Sequence, residues 1–242
     1  QSVITNNNGS GTDFHDTSSG GTSTIVNNQS GFTYFRDTSS AGNARIANNG
    51  GGAATFFIQS GSAGNAVIDN NGGEARFYDT STAGSATITN RAGGVTYFFD
   101  SSTGAGASLI NEAGGRVDAS YHQGPLGIGA LSGGGRLLLG ANAVSLGATG
   151  SNVQFAGTIE DGGGNGGTGG SLVKVGTGTL TLSGANTYTG GTALKQGRLD
   201  LGHNQSLGTG TLAMDDGTTL GFSANGLTVA NDIQLTGSND PV

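Results

Sequence analysis

The sequence contains no cysteine and no tryptophan, only two prolines in 242 residues, and charged side chains at just 10% of positions. Without cysteine there is neither a disulfide frame nor a thiolate zinc site. That absence does not assign a compartment, because a chain exported in extended form profits from having no thiol to cross-link early. No apolar run approaches the roughly 20 residues that a membrane helix needs. Nine lysines and arginines are scattered through a chain of formal net charge −7. Nucleic acid, which needs clustered cations against its phosphates, is thereby excluded as a partner, and so is a basic helix lying on a membrane surface. Gln1 opens directly on repeat sequence with no secretory signal ahead of it, so the chain reads as an excised piece of a longer protein.

What the chain has instead is glycine, 50 residues of it, and a long period. Glycine without three-residue spacing excludes collagen, and regular apolar columns argue against disorder. Phenylalanine recurs at Phe14, Phe35, Phe57, Phe77 and Phe98, and a branched aliphatic at Ile4, Ile25, Ile46, Ile68, Ile88 and Leu109, in steps of 20 to 22 residues. Two residues after each aliphatic stands Asn6, Asn27, Asn48, Asn70, Asn90 or Asn111. Inside each unit the apolar spacing is two, a strand period, and the units are joined by Gly-rich corners such as Gly93-Gly94. The pattern predicts an all-β fold, a right-handed parallel β-helix (β-solenoid) of about 21 residues per turn, with about 10 or 11 turns stacked about 4.8 Å apart. Stacking turns the Phe column into a pile of offset rings. It turns the Asn column into a ladder in which each amide donates to one neighbour and accepts from the other, with Asn111 as its end.

Residues 1–120 carry the regular Phe/Ile/Asn repeats, and 121–242 continue the same solenoid with aliphatics in place of the rings. Pro125 marks a corner, and Gly162 to Gly170, seven glycines in nine residues, is the expected flexible loop and nicking site. Leu180 and Leu182, Leu199 and Leu201, Leu212 and Met214, and Leu220 and Phe222 are the expected inward pairs of the second half. The stretch 172–202 contains Lys174, Gly176, Gly178, Thr179, Leu180, Leu182, Gly184, Asn186, Tyr188, Gly190, Gly191 and Thr192. In that spacing it resembles the passenger-associated strand repeat of bacterial autotransporters, and the resemblance extends over roughly 121 to 240. It implies a passenger of type V secretion, displayed at the bacterial cell surface, in the outer membrane or secreted. Its membrane contact would be made only through a downstream barrel that this sequence does not contain.

Parallel β-helices also include polysaccharide lyases and hydrolases, so the fold does not decide catalysis. Asp16, Asp37, Asp79 and Asp100 recur once per turn, with Gln59 interrupting. An Asp closing a strand is a turn former that bonds its own backbone two residues on, and a calcium site between Asp79 and Asp100 is the alternative reading. His15, His122 and His203 stand far from any nucleophile and carboxylate arrangement, and the Gly-x-Ser-x-Gly pattern of serine hydrolases is missing. The Thr17, Thr38 and Thr80 column, broken by Ser60 and Ser101, does not make the flat threonine array of an ice-binding face.

With the Phe column inside, its flanking residues point out: Asp13, Tyr34, Phe56, Arg76 and Tyr97 in one column, His15, Arg36, Ile58, Tyr78 and Phe99 in the next. Six of the ten are large and apolar, which predicts a broad open patch. Tyr34, Arg36, Phe56, Arg76, Tyr78, Tyr97 and Phe99 are therefore the candidate binding residues. The expected function is a non-catalytic adhesin or structural stalk, with no cofactor and no metal ligands, that contacts a host surface protein, a glycan or another copy of itself. A polysaccharide lyase or hydrolase is the alternative.

Overall fold

The structure, a computed structural model, describes residues 2–237. The last residues of the passenger-like stretch, 238–240, lie outside the described residues. The chain is an all-β solenoid of about 11 turns, with every strand pair parallel. Two strands alternate in each turn of the first half. One sheet stacks Val3–Asn7, Thr24–Asn28, Arg45–Asn49, Val67–Asn71, Thr87–Asn90 and Gly104–Asn111. The other stacks Gly11–Phe14, Phe32–Phe35, Ala54–Phe57, Glu74–Phe77, Val95–Phe98 and Arg116–Asp118. A third side is closed by single bridges from Ser19 through Ser40, Ser62 and Thr82 to Thr103.

Like residues pair with like, as in Ile25↔Ile46↔Ile68↔Ile88 and Phe35↔Phe57↔Phe77. A one-residue slip would turn every inward side chain to water, so the alternation itself pins the register. The Phe rings lie 4.7 to 5.2 Å apart, within 14° of parallel, and Phe35 to Phe98 are wholly buried. The corner between the two sheets is tight enough to demand glycine. A Cβ on Gly94 would sit 2.0 Å from the Asn70 carbonyl oxygen of the preceding turn.

The asparagines at that corner do form a ladder, polarised along the axis. Nδ2 of Asn6, Asn27, Asn48 and Asn70 each donates to Oδ1 of the next asparagine at 2.8 Å. The same amides reach carbonyls of the second-sheet strand one turn on, as Asn27 does to Ala54 and Asn48 to Glu74. Thr33, Thr55 and Thr96 hydroxyls donate to the asparagine of their own turn at 2.9 to 3.0 Å. The ladder stops at Asn90, one rung before the expected end. Asn111 donates to the Arg136 carbonyl at 2.7 Å, but its buried Oδ1 has no partner.

Asn90 itself donates to the Arg116 carbonyl at 3.0 Å, and the columns change beyond it. Gly104–Asn111 and Leu126–Gly133 are eight-residue strands that run straight through the corner between the third side and the first sheet, whereas the glycine corner after Asn111 persists, with a Cβ on Gly115 2.3 Å from the Asn90 carbonyl oxygen. Beyond them the sheet divides into two columns. One passes through Ala143–Leu146, Ser171–Lys174, Thr192–Leu194, Leu212–Met214 and Ile233–Leu235, the other through Val153–Phe155, Thr179–Leu182, Arg198–Leu201 and Thr219–Phe222. The asparagine column runs on as Gly133, Phe155, Leu182, Leu201 and Phe222. The expected Leu pairs thus occupy two columns, with Leu212 and Met214 apart from the other three pairs. Phe222 is 55% exposed, because its strand is the last described in its column.

Two expectations about loops change. The glycine loop 162–170 is fastened two turns back: the buried Asp118 carboxylate accepts the Gly164 amide at 3.0 Å, and Ser120 Oγ accepts the Asn165 amide at 3.0 Å. The Asp column bonds between turns and not to its own backbone. Asp37 accepts the Asp16 amide, Gln59 that of Asp37, Asp79 that of Gln59, and Asp100 that of Asp79, at 2.7 to 3.1 Å. Each of these residues has φ between 52° and 60°, and the side chains of Asp37, Gln59, Asp79 and Asp100 lie over the preceding turn.

Candidate functional site

The outer face of the second sheet collects the seven candidate residues into one strip. Register places Asp13, Tyr34, Phe56, Arg76, Tyr97 and Asp118 in a single outward column. Arg36, Ile58, Tyr78 and Phe99 follow their strands two residues on, alongside it. The strip is not the open patch expected from the sequence. All seven residues are half-buried, because turns at strand spacing lay each ring on the next. Tyr34 stacks on Phe56 at 4.7 Å and Tyr78 on Phe99 at 4.3 Å.

The guanidinium groups complete the pile. Arg36 lies 4.3 Å over the Tyr34 ring, and Arg76 sits between Phe56 at 5.8 Å and Tyr97 at 5.2 Å. Ring faces are therefore spent on one another and on arginine, and what meets the solvent is ring edges, phenol oxygens and guanidinium edges. Edges carry the positive part of the aromatic quadrupole. The surface is thus suited to acceptor-rich, oxygen-bearing partners more than to sugar faces stacking on open rings.

Four residues that the sequence reading did not select belong to this surface. Phe32 packs edge-on to Tyr34 at 5.3 Å, and Tyr121 tilts against Phe99 at 4.8 Å. Glu74 holds Arg76 Nε at 2.6 Å, and Arg116 donates to the Tyr97 hydroxyl at 2.7 Å while lying 5.5 Å over its ring. Counting one further period from Val95 and Phe99 would have found Arg116 and Tyr121. Burial pushes the Tyr97 phenol up, and it stays a neutral donor at physiological pH. At one end the strip meets the glycine loop, where a Cβ on Gly164 would lie 2.4 Å from the Tyr121 hydroxyl.

Among the described residues, no three His, Asp or Glu side chains converge on a point where a metal could bind. Asp79 and Asp100 are stacked, but each spends one oxygen on a backbone amide of the turn before it.

The motif residues of the second half have structural positions. Lys174 is buried and donates to the carbonyls of Val175, Gly176 and Gln196 at 2.7 to 3.0 Å. Asn186 accepts the Ile159 amide at 2.8 Å and donates to the Ser206 carbonyl at 2.6 Å, which ties three successive turns on the side where the second sheet has ended. Tyr188 is fully buried with its hydroxyl on Thr192, and burial holds its phenol far above the usual range. Residues 172–201 match the passenger-associated-transport-repeat family. No curated protein and no solved structure matches the chain. The repeat and the solenoid together fit the passenger domain of an autotransporter, and that repeat implies a chain at the cell surface or secreted.

Proposed function

We propose that this passenger acts without catalysis, as an adhesin or stalk at the bacterial surface, and that the aromatic and arginine face of the second sheet is its contact surface. The observation that supports this is the pile of rings and guanidiniums running from Arg36 through Tyr34, Phe56 and Arg76 to Tyr97 and Arg116. Nothing in the core uses these groups. They are also the residue types that dominate protein contact surfaces. The alternative enzyme would act through Asp79 and Asp100, whose Oδ2 atoms are engaged in stitching turns together.

The test is one panel on the parent, a Tyr34→Ser/Tyr78→Ser/Phe99→Ser variant and Asp79→Ala. Light scattering reads self-association, an array of matrix proteins and glycans reads binding, and a polysaccharide screen with and without chelator reads turnover. The expected result is loss of association or array binding in the triple variant, with far-UV circular dichroism unchanged, and no turnover by any form. Binding and association equal to the parent in the triple variant would remove the surface. Cleavage that disappears with Asp79→Ala would overturn the non-catalytic reading.

A further inference from the structure

The charge on the strip is unevenly satisfied. Of the seven arginines, Arg45 and Arg116 form no salt bridge among the described residues. Arg45 is exposed to water, whereas Arg116 is half-buried. Arg36 is paired with Asp13, Arg76 with Glu74, and Arg136 with Glu160. Arg116 has only the neutral Tyr97 hydroxyl, and its Nε is buried with no acceptor. A half-buried guanidinium with an unmet donor is costly, and it is relieved by any oxyanion that meets its fork.

A place for that oxyanion lies beside it. Gly93, Gly94, Val95, Gly114, Gly115, Arg116 and Arg136 line a half-open cavity of about 190 Å³. Gly94 and Gly115 belong to the corner that excludes side chains, and Arg116 and Arg136, one turn apart, complete the lining. It is too small for a drug-sized ligand and takes one charged substituent or one ring. Swinging the Arg116 fork into it gives up one bond to a phenol and the contact over the Tyr97 ring, and gains a bidentate bond to an anion.

We propose that this corner is an anion subsite, and that it binds the carboxylate or sulfate group of an acidic saccharide whose remaining oxygens lie against the edges of Tyr97 and Tyr121. A saccharide fits better than an acidic peptide. Arg116 connects the cavity to the Tyr97 hydroxyl, and the strands beside it are paired on both edges, which leaves no strand edge along which a peptide could pair. This assignment rests on the reading of the second-sheet face as a contact surface. It narrows the partner to an acidic glycan on a chain whose overall charge is negative.

Titration calorimetry tests it with four probes: oligogalacturonate, sulfated dextran oligomer, neutral dextran oligomer, and a peptide of alternating Glu and Gly. The proteins are the parent, Arg116→Gln, Arg136→Gln and the double variant, each checked for an unchanged urea midpoint. Glutamine keeps an amide donor for Tyr97, and Arg136 is exposed, so folding is expected to survive. The expected result is binding of one or both acidic oligosaccharides, weakened at least tenfold by Arg116→Gln and further by the double change, with salt-dependent affinity and no neutral binding. Whichever acidic oligosaccharide binds identifies the group as carboxylate or sulfate. Binding unchanged in the double variant, equal binding of neutral dextran, peptide binding as tight as saccharide binding, or no binding at all would overturn the subsite. Loss of array contacts in the triple-serine variant, together with any of those outcomes, would leave the contact surface standing and remove only the anion pocket.

Discussion

Replacing Asn70 by leucine should cost far more than replacing Asn111 by leucine, although both asparagines are fully buried at the same corner. Asn70 accepts from Asn48 and donates to Asn90, both at 2.8 Å, and also reaches the Val95 carbonyl at 3.2 Å. Leucine leaves three buried polar groups short of one partner each, at about 1 to 2 kcal/mol apiece, because those groups remain polar and dry. Burying the leucine returns about 2 kcal/mol. The net loss is therefore about 1 to 4 kcal/mol. It is moderated because Asn48 keeps the Glu74 carbonyl and Asn90 Oδ1 keeps the Thr96 hydroxyl.

Asn111 makes one side-chain bond, to the Arg136 carbonyl, and already carries an unmet Oδ1. Leucine there loses one bond, removes one unsatisfied oxygen, and extends the apolar column that continues through Phe155 and Leu182. The expected change lies within about 1 kcal/mol of zero, on either side. Urea unfolding followed by circular dichroism reads both. With m near 2 kcal/mol/M, Asn70→Leu should lower the midpoint by about 1 M and Asn111→Leu should hardly move it. Equal shifts in the two variants at unchanged m would refute the polarised ladder.

Gly94→Ala should lower the urea midpoint sharply or abolish folding, since its Cβ would meet the Asn70 carbonyl at 2.0 Å, whereas Gly134→Ala, with nothing within 4 Å, should be close to neutral. Burial lowers the pKa of Lys174, so between that lowered value and the ordinary one near 10.5 the unfolded chain binds more protons than the folded one. Stability of the parent should thus gain with rising pH in that alkaline window relative to Lys174→Met. The Met variant should itself be weaker at neutral pH, because three carbonyls lose their donor, and parallel pH profiles of unfolding free energy would contradict this. Proteinase K should leave the 162–170 loop of the parent intact and cut it in Asp118→Ala, because the loop's anchors are Asp118 and Ser120. Mass spectrometry of early fragments checks it, and nicking of the parent within that loop at the same rate would show the anchor to be ineffective.

Fold class, period and the inward or outward sense of the first-half Ile, Phe and Asn columns and their flanks were legible in the sequence, because a repeat of about 21 residues at strand alternation leaves one register that buries Ile, Phe and Asn together. The seven strip residues could be named for the same reason: they flank the buried Phe column on the same strands. What only the tertiary structure decided depends on neighbours that no period encodes. The ladder ends at Asn90, whose amide turns to the Arg116 carbonyl, and beyond Asn111 the column passes to Gly133, which has no side-chain amide. The glycine loop is held by Asp118 and Ser120, more than 40 residues back in the chain. Composition sees only glycine there, whereas the fold supplies a buried carboxylate that needs donors. Ring exposure was overestimated because spacing along the axis lets outward side chains cover one another. Arg116 became notable only once its lack of a carboxylate partner could be set beside the pairing of Arg36, Arg76 and Arg136. A periodic sequence determines what repeats, and the packed solenoid determines where the repeat breaks and which charges are left unanswered.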